Sequence, residues 1–458
     1  MIELTHTEPA YKPIPKDVRY HPLGHIIDFK KDVLASMRQM AQKHPELVQL
    51  RVGPKRLIMV QHPELVREVL VKRAAEFPKA APFRGTLSKA LGNGLVPSDG
   101  KFHAGQRKMM QSLFHHKRME AYSRVMTNYT ADLLKEWERN PNRDLHNDMM
   151  RLTMFIVSKT LFNADKRTMA KDAQRAADAI ASNQIWIEKE FWLGFKMPDW
   201  VPTRGNRQFK KNHQTLQEIL MPIIEQRMRT NIDHGDLLTT LINARNDAGR
   251  PMPKQQIFDE VNNLFSAGHE TTANTLIWTF YLLGKNRHVT QKLTDEIDQV
   301  LQGRCPTMAD LDQLPYAAMV LKESMRLFPA VWSLAYREVQ RDTTVGDYRF
   351  PKGSWIVISP YALHRQEAYF PNPEVFKPER FHPTRASNIP RYAYLPFGAG
   401  PRVCIGAQFA MIEAQLILIQ LLQTFNFEIV PGQSIIPRPL ITISPENGLN
   451  IKVTRRSQ

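Results

Sequence analysis

The stretch FGAGPRVCIG, from Phe397 to Gly406, places one of the chain's two cysteines among glycines and just before an apolar run. That run, GAQFAMIEAQLILIQLLQTF, is typical of a helix, so Cys404 is expected at a helix N-terminus, where unpaired amides and the helix dipole stabilise a thiolate. The glycines allow tight turns and the close approach of a flat ligand. Cys404 is therefore a candidate thiolate, although an isolated cysteine is more often a buried structural residue.

A carboxylate and a hydroxyl stand side by side in SAGHETT, at Glu270 and Thr271. The surrounding segment, Pro253 to about Asn286, has no internal proline and predicts a helix about 50 Å long, which usually crosses the core. Ala267 and Gly268 place two small residues in its middle, where a glycine costs about 1 kcal/mol relative to alanine. Ala267 and Thr271 are one turn apart and share a helix face, so another group is expected to approach the backbone there.

A further pair of opposite charges lies in KESMR, where Glu323 and Arg326 are three residues apart and can pair on one helix face. Such a pair is most often a solvated surface pair. Farther along the chain, the stretch FKPERF supplies a second basic residue, Arg380.

Together these stretches resemble the cytochrome P-450 family, the haem-thiolate monooxygenases. The haem-ligand motif of that family is matched by Phe397, Gly398, Gly400, Arg402, Cys404 and Gly406. The resemblance covers nearly the whole chain and is closest in kind to soluble bacterial members. It implies a mainly α fold with small β-sheets, in which a single large domain carries a long central helix over the haem.

The resemblance also implies roles for the candidate residues. Cys404 would be the axial ligand of the haem iron, and Phe397 would pack near its sulfur. Glu270 and Thr271 would form the acid–alcohol pair of oxygen activation, with Ala267 and Gly268 opening a groove beside the iron. A structural triad would lock the irregular segment after the helix against that helix; its members are Glu323, Arg326 and Arg380.

Haem b carries two propionates, and burying carboxylates without partners is costly. Four residues match family positions that bind the propionates: Arg402, Arg337 in AYREV, and the pair His103 and Arg107 in DGKFHAGQRKMMQSLF. Many family members have tryptophan where His103 stands. The other cofactor-binding positions implied by the motif are Ala267, Phe397, Gly398 and Gly406.

The predicted organisation is one domain over residues 1–458. It comprises a β-rich part at about 45–62, with strands Val48–Val52 and Arg56–Val60; a helical core at about 63–335; a hairpin, a meander and the haem-ligand loop at about 336–406; and a helix and hairpin at 407–455. The two hairpins are predicted from strands at 343–350 with 355–359, and at 440–444 with 449–453. Six prolines between 371 and 396 exclude regular elements, while the aromatic residues there favour an ordered meander over a disordered linker.

The net charge is +17, from 62 basic and 45 acidic residues, which favours association with acidic partners. No zinc-finger, homeodomain or RNA-binding motif accompanies that charge, so nucleic acid is not an expected partner. Only two cysteines, Cys305 and Cys404, are present, which excludes a disulfide framework and fits a reducing compartment. No apolar run reaches the roughly 20 residues of a membrane span, and the N-terminus lacks a signal-peptide core. We expect a cytoplasmic monomer without a membrane anchor.

No reductase domain follows Ser457 and Gln458, so a separate ferredoxin or flavodoxin with its reductase is expected to supply electrons. The stretch Lys101–Arg118 carries five Lys and Arg residues and no acidic residue. In the family this helix borders the face nearest the cysteine, so the stretch would steer an acidic donor. The alternative is a solvated basic helix with one or two propionate contacts.

The predicted activity is insertion of one atom of O2 into an apolar organic substrate, by hydroxylation or epoxidation. The alternatives are a peroxygenase, a haem-thiolate isomerase or dehydratase, and a haem sensor without turnover. By analogy with the family, the pocket would be lined by the region after Phe77, the aromatic stretch QIWIEKEFWLGFKMPDW, residues 331–334 and the turn near Ile443. Fatty acids, terpenoids, steroids and polyketides all remain open as substrates.

Overall fold

The computed structural model describes residues 11–192, 200–230, 232–245 and 249–456, with the side chains of residues 191 and 192 left out. Its helices are α1 (Ile26–Lys43), α2 (Pro63–Arg67), α3 (Ala81–Leu91), α4 (Gly100–Gln111), α5 (His116–Arg139), α6 (Leu145–Phe162), α7 (Lys166–Met169), α8 (Ala173–Trp192), α9 (Arg204–Thr230), α10 (Leu237–Asn243), α11 (Lys254–Lys285), α12 (Arg287–Leu301), α13 (Pro315–Leu327), α14 (Pro360–Leu363), α15 (Pro383–Ala386) and α16 (Ala407–Thr424).

The strands are short. They are β1 (Leu47–Val52), β2 (Lys55–Val60), β3 (Asn142–Asp144), β4 (Arg337–Glu338), β5 (Thr343–Val345), β6 (Tyr348–Phe350), β7 (Trp355–Val357), β8 (Phe425–Ile429), β9 (Pro437–Pro439), β10 (Ile443–Pro445) and β11 (Asn450–Arg455). A mainly helical chain with small sheets is what the sequence predicts.

The smaller of two compact units comprises residues 11–81, 333–371 and 390–403. Its four-stranded sheet has the order β1-β2-β7-β4, in which β2 and β7 are parallel and the other neighbours are antiparallel. The strand pair predicted around Gly53 is thus confirmed as β1 and β2. Apolar side chains of the sheet, among them Ile58 and Ile356, are fully buried in the core of this unit.

The larger unit comprises residues 82–332, 372–389 and 404–456, and helix α11 runs through its core. The helix begins after Pro253 and ends before Asn286, as the absence of internal proline predicts. Its C-terminal half packs by ring stacking, with Trp278 and Phe328 centroids 4.0 Å apart and nearly parallel. A Cβ at Gly268 would lie 3.0 Å from Cγ2 of Val157, so this glycine allows close packing of α11 on α6.

The predicted hairpin between 343–350 and 355–359 is wrong. The chain already reverses at Gly346, whose φ is +55°, so β5 pairs with β6 inside the first of those segments. Trp355–Val357 instead joins the four-stranded sheet between β2 and β4. Turn residues indicated a reversal in the right region, but burial in a distant sheet decided the partner of β7.

The predicted C-terminal hairpin is also wrong. Strand β10 pairs with β9, while β11 pairs on one side with β8 and on the other with β3. The stretch PENG is a turn, with Gly448 at φ +69°, but it joins two different sheets. The partner strand β3 lies about 300 residues earlier in the chain, and no local signal predicts such a pairing.

Glu323 and Arg326 of α13 form a buried cluster with Arg380 of the 3-10 turn at 378–381. Arg326 donates from Nε to Glu323 Oε2 at 2.7 Å, and Arg380 donates from Nε to Glu323 Oε1 at 3.2 Å. The Lys377 amide also donates to Glu323 Oε1, at 2.9 Å, and the Arg326 guanidinium donates to the Val375 carbonyl. These bonds connect the irregular segment 372–380 to α13.

Replacing Glu323 with leucine should lower the free energy of unfolding by about 3–5 kcal/mol, because the buried Arg326 guanidinium loses its carboxylate. Urea unfolding followed by circular dichroism measures the loss. The matched control is Glu120→Leu, which breaks the exposed pair of Glu120 with Arg124 and should change stability by less than about 0.5 kcal/mol. Equal unfolding midpoints for the two variants would contradict the structural role of the cluster.

Candidate active site

Cys404 lies in the turn that leads into α16, three residues before the helix begins. Its thiol is accessible to solvent, yet protein crowds around it, and this burial raises the pKa of the thiol. The Gly406 amide and the Arg107 guanidinium of α4 act in the opposite direction and lower the pKa. The sulfur is accessible and lies near a cation and a helix N-terminus. These surroundings suit a thiolate that is bound to a metal ion, since coordination removes the thiol proton.

The rest of the FGAGPRVCIG stretch belongs to the smaller unit up to Val403. Gly400 opens a 3-10 turn with φ +70°, and a Cβ there would lie 2.0 Å from the Leu70 carbonyl oxygen, so only glycine fits. Gly398 also has a positive φ, of +71°, and Phe397 is half-buried. Arg402 ends the 3-10 turn and is half-buried.

Helix α4 carries two of the four residues predicted to bind the haem propionates. His103 is buried, and Arg107 follows one turn later, half-buried. Arg337 lies in β4 of the smaller unit, is buried, and donates from Nη1 to the Phe77 carbonyl at 3.5 Å.

An exposed strip interrupts the buried length of α11. Ala267 is exposed and Thr271, one turn later, is half-exposed, although 21 residues of this helix are buried. The Thr271 hydroxyl donates to the Ala267 carbonyl at 2.8 Å. Gly268 packs on α6, so Ala267 provides the open position beside Thr271 and Gly268 does not contribute to it. The strip leaves room for a flat group against the helix backbone.

His269 lies between these residues and is buried, with Nδ1 2.9 Å from the Phe265 carbonyl. Burial lowers its pKa to about 4, so the imidazole is neutral at physiological pH. Its surroundings are those of a core histidine.

The Glu270 carboxyl is held by residues of two other segments. It accepts a hydrogen bond from the Thr442 hydroxyl at 2.6 Å and another from the Gln184 side-chain amide of α8. Asn274 donates in turn to the Thr442 hydroxyl at 3.3 Å. Glu270 as a whole residue is half-buried, but protein encloses its carboxyl. This burial raises the pKa of the carboxyl, and the two hydrogen bonds lower the pKa by a smaller amount.

Gln184 and Thr442 are parts of this site that the sequence did not indicate. Gln184 precedes Glu270 by 86 residues and Thr442 follows it by 172. Neither residue stands in a motif, and both are ordinary polar residues in segments that read as pocket lining. Only the packing of α8 and of the loop before β10 against α11 brings them together.

The structure describes only some of the aromatic residues that were predicted to line the pocket. Trp186 is buried in a stack on Phe209, with ring centroids 4.0 Å apart, and therefore belongs to the core. Trp200 is 79% exposed. Phe195 lies outside the described residues, as do the side chains of Phe191 and Trp192.

The described residues fit an iron porphyrin. Cys404 offers an accessible sulfur, which is a haem ligand of the thiolate type. Arg107 near that sulfur is a cation suited to a propionate, and the strip of Ala267 and Thr271 gives a flat group access to α11.

Comparison with known proteins identifies the class. The sequence model of the Cytochrome P450 family matches residues 15–452. The solved structure titled "Crystal structure of cytochrome P450DA heme domain" superposes with a TM-score of 0.86 and 27% identity, covering 98% of both chains. The fold is therefore that of a cytochrome P450.

Curated relatives agree. Cyclooctat-9-en-7-ol 5-monooxygenase of Streptomyces melanosporofaciens is 36% identical over 90% of this chain and 89% of its own length. Pentalenene oxygenase of Streptomyces avermitilis is 29% identical, over 95% of this chain and 96% of the relative. Human Cytochrome P450 4V2 is 32% identical over 97% of this chain and 90% of its own length. The chain belongs to the cytochrome P450 family.

The chain is accordingly a haem-thiolate monooxygenase, an oxidoreductase that inserts one atom of O2 into an apolar organic substrate with electrons from a redox partner. Within the described ranges, no helix combines the length and apolar character needed to cross a bilayer.

Replacing Thr442 with valine should cost about 1–3 kcal/mol of stability, because the enclosed Glu270 carboxyl loses a hydroxyl donor. The hydrogen bond from Thr442 stabilises the ionised form of Glu270, whose pKa is raised in the folded protein. Because more of the carboxyl is ionised at higher pH, the cost of losing this bond should grow from pH 5 to pH 8. Urea unfolding of the valine variant at both pH values measures it. Thr442→Ser keeps the hydroxyl and should remain close to the parent; equal losses for serine and valine would refute the contribution of this bond.

Proposed function

We propose that Cys404 ligates the iron of haem b. The haem propionates would be bound by His103, Arg107, Arg337 and Arg402. The accessible thiol beside Arg107 supports the first assignment. Bound haem iron supplies the activation of O2, assisted by the electron density of the thiolate. Phe397, Gly398 and Gly406 would shape the loop around the sulfur, and the match to residues 15–452 supports one catalytic domain.

The observation that carries the proposed mechanism is the exposed strip on α11. Ala267 leaves space beside the helix, and Thr271 places a hydroxyl at its edge. Thr271 would turn its O–H from the Ala267 carbonyl toward oxygen bound in that space and hold a proton at Oγ1. Glu270 would keep a proton to higher pH than an ordinary glutamate, because burial raises its pKa, and it would pass that proton toward the site.

We propose a cyclic, largely hydrocarbon substrate of the terpenoid class. The relatives named for cyclooctat-9-en-7-ol and pentalenene act on ring compounds with few polar groups, and they match most of this chain. Such a substrate offers apolar surface and C–H bonds but few hydrogen-bonding groups, so an apolar pocket would recognise it mainly by shape.

We propose an acidic ferredoxin or flavodoxin as the electron donor, and a cytoplasmic monomer as the working form. Helix α4 and the start of α5 present Lys101, Lys108 and Lys117, all exposed, without an acidic residue between Lys101 and Arg118. Clustered positive charge raises the association rate of an acidic partner.

Replacing Thr271 with alanine should uncouple electron use from product formation, with peroxide as the main product of the electrons consumed, because the hydroxyl proton at the strip is lost. A substrate is first chosen by spin-state titration of the ferric enzyme with cyclic alkenes and alcohols, against linear fatty acids. Product, peroxide and consumed NAD(P)H are then measured together.

The control for this experiment is Thr275→Ala, which removes a buried threonine hydroxyl one turn farther along α11. It should retain the coupling of the parent enzyme, and Thr271→Ser should retain most of it. Unchanged coupling in Thr271→Ala would refute the role of the hydroxyl. A stronger response to linear fatty acids than to ring compounds would refute the substrate class.

Replacing Lys108 with glutamate should slow reduction by an acidic ferredoxin several-fold at low ionic strength, and the difference should fade as salt screens the charges. Stopped-flow reduction at two salt concentrations measures it. Lys210→Glu on α9 makes the same change of net charge at another exposed lysine. If both variants slow reduction equally, the effect is one of net charge and docking at α4 is refuted.

A further inference from the structure

The segment 91–96, between α3 and α4, is held on α11 by side chains of that helix. Asp259 accepts the Asn93 amide at 2.8 Å, Glu260 accepts the Leu95 amide at 2.9 Å, and Asn263 accepts the Val96 amide at 3.0 Å. Three side chains of one helix thus accept hydrogen bonds from three backbone amides of the segment.

Donors of α11 complete the clamp by binding carbonyls of the same segment. The Asn263 side-chain amide donates to the Leu91 carbonyl at 2.6 Å, and that of Gln256 donates to the Asn93 carbonyl at 3.0 Å. The glycines of the segment are required by this contact. A Cβ at Gly92 would lie 2.1 Å from the Asp259 carboxyl carbon, and one at Gly94 would lie 2.2 Å from the Asn263 amide nitrogen.

Glu260 is the buried acid of this clamp. Its side chain has no exposed surface, Oε2 accepts the Leu95 amide, and Oε1 accepts the Gln256 side chain at 3.0 Å. Burial raises its pKa to about 7, and the neighbouring Asp259 carboxylate adds to the rise, while the two hydrogen bonds lower it. From α9, His213 faces Asp259.

The clamp lies on the reaction face of α11. Gln256, Glu260, Asn263, Ala267 and Thr271 follow one another at intervals of four, three, four and four residues, which keeps all five on one side of the helix. Asn263 is buried under the segment, and Ala267, one turn on, is exposed. The segment therefore ends where the strip begins. It then runs into α4, which carries the two basic residues predicted for the propionates.

We propose that Glu260 is a positioning residue whose protonation controls how firmly the 91–96 segment is held against α11, and thereby shapes the apolar binding space beside Ala267 and Thr271. The second part rests on the proposed reaction role of that strip. The first part concerns only the chain itself.

The direction of the pH dependence follows from the two states of Glu260. In the closed clamp its pKa is about 7, whereas in an open, solvated segment it returns toward the ordinary 4.5. The ratio of open to closed segment therefore increases as pH rises between about 4.5 and 7, by up to tenfold per pH unit. Above pH 7 this ratio levels off. The clamp is tighter at pH 5 than at pH 8.

Hydrogen exchange of the Leu95 amide in the haem-loaded enzyme tests this directly, after division by the intrinsic exchange rate at each pH. In the parent the protection factor should fall at least tenfold from pH 5 to pH 7 and then stay level. Glu260→Gln keeps an acceptor for the amide and cannot ionise, so its protection should not depend on pH. Glu260→Ala should lower protection at least tenfold at pH 5.

Binding of 4-phenylimidazole, compared with imidazole, tests the effect on the pocket. Both ligate haem iron, but the phenyl ring needs a wall beside the strip. Glu260→Ala should weaken 4-phenylimidazole several-fold more than imidazole, and Glu260→Gln should restore the parent ratio. Glu296→Ala is the control, because Glu296 is likewise a glutamate with a raised pKa that accepts backbone amides, those of Tyr316 and Ala317. It should leave Leu95 protection and the ligand ratio unchanged.

Unchanged Leu95 protection in Glu260→Ala, or an unaltered pH dependence in Glu260→Gln, would overturn the positioning role. Lost protection with an unchanged ligand ratio would overturn the link to the binding space. Neither result depends on coupling in the Thr271 variant, so a failure here is distinct from a failure of the proposed proton transfer.

Discussion

A helix that is buried along most of its length must satisfy every polar side chain that it carries, because an unpaired polar group away from water costs several kcal/mol. Among the polar side chains in or near the buried surface of α11 are Asp259, Glu260, Asn262, Asn263 and Glu270. Each binds a backbone or side-chain group from another part of the larger unit. The loop before α4, the middle of α8 and the loop before β10 are thereby anchored to one helix.

The same constraint sets the chemistry of the helix. Enclosing a carboxyl favours its neutral form, and burial is the largest cause of the raised pKa at both Glu260 and Glu270. Hydrogen bonds from neighbours reduce but do not cancel that effect. The helix thus holds two carboxyls that keep their protons to higher pH than exposed glutamates do. Glu260 lies two turns before the exposed strip, and Glu270 lies directly beside it. Between Ile257 and Leu283, Ala267 is the one exposed residue of this helix.

Recognition of the family from sequence depended on compact motifs. The stretch around Cys404 and the pair Glu270 and Thr271 each occupy a few consecutive residues, so their spacing is readable without a fold. The helix around them was also predictable, because proline is absent between Pro253 and Asn286 and proline is the strongest helix breaker. Strand pairing was not, as the two misassigned hairpins show: β7 and β11 each pair with strands that are far away in sequence.

The sequence by itself determined the family and the helix that bears Thr271, because these depend on residue type and local spacing. Tertiary structure alone decided where side chains point. It directed the Glu270 carboxyl to Gln184 and Thr442 and left Ala267 exposed between half-buried neighbours. It also set Glu260 under the 91–96 segment. Such contacts join residues far apart in the chain, and burial, which shifts a pKa, is a property of the packed chain and not of any single stretch of it.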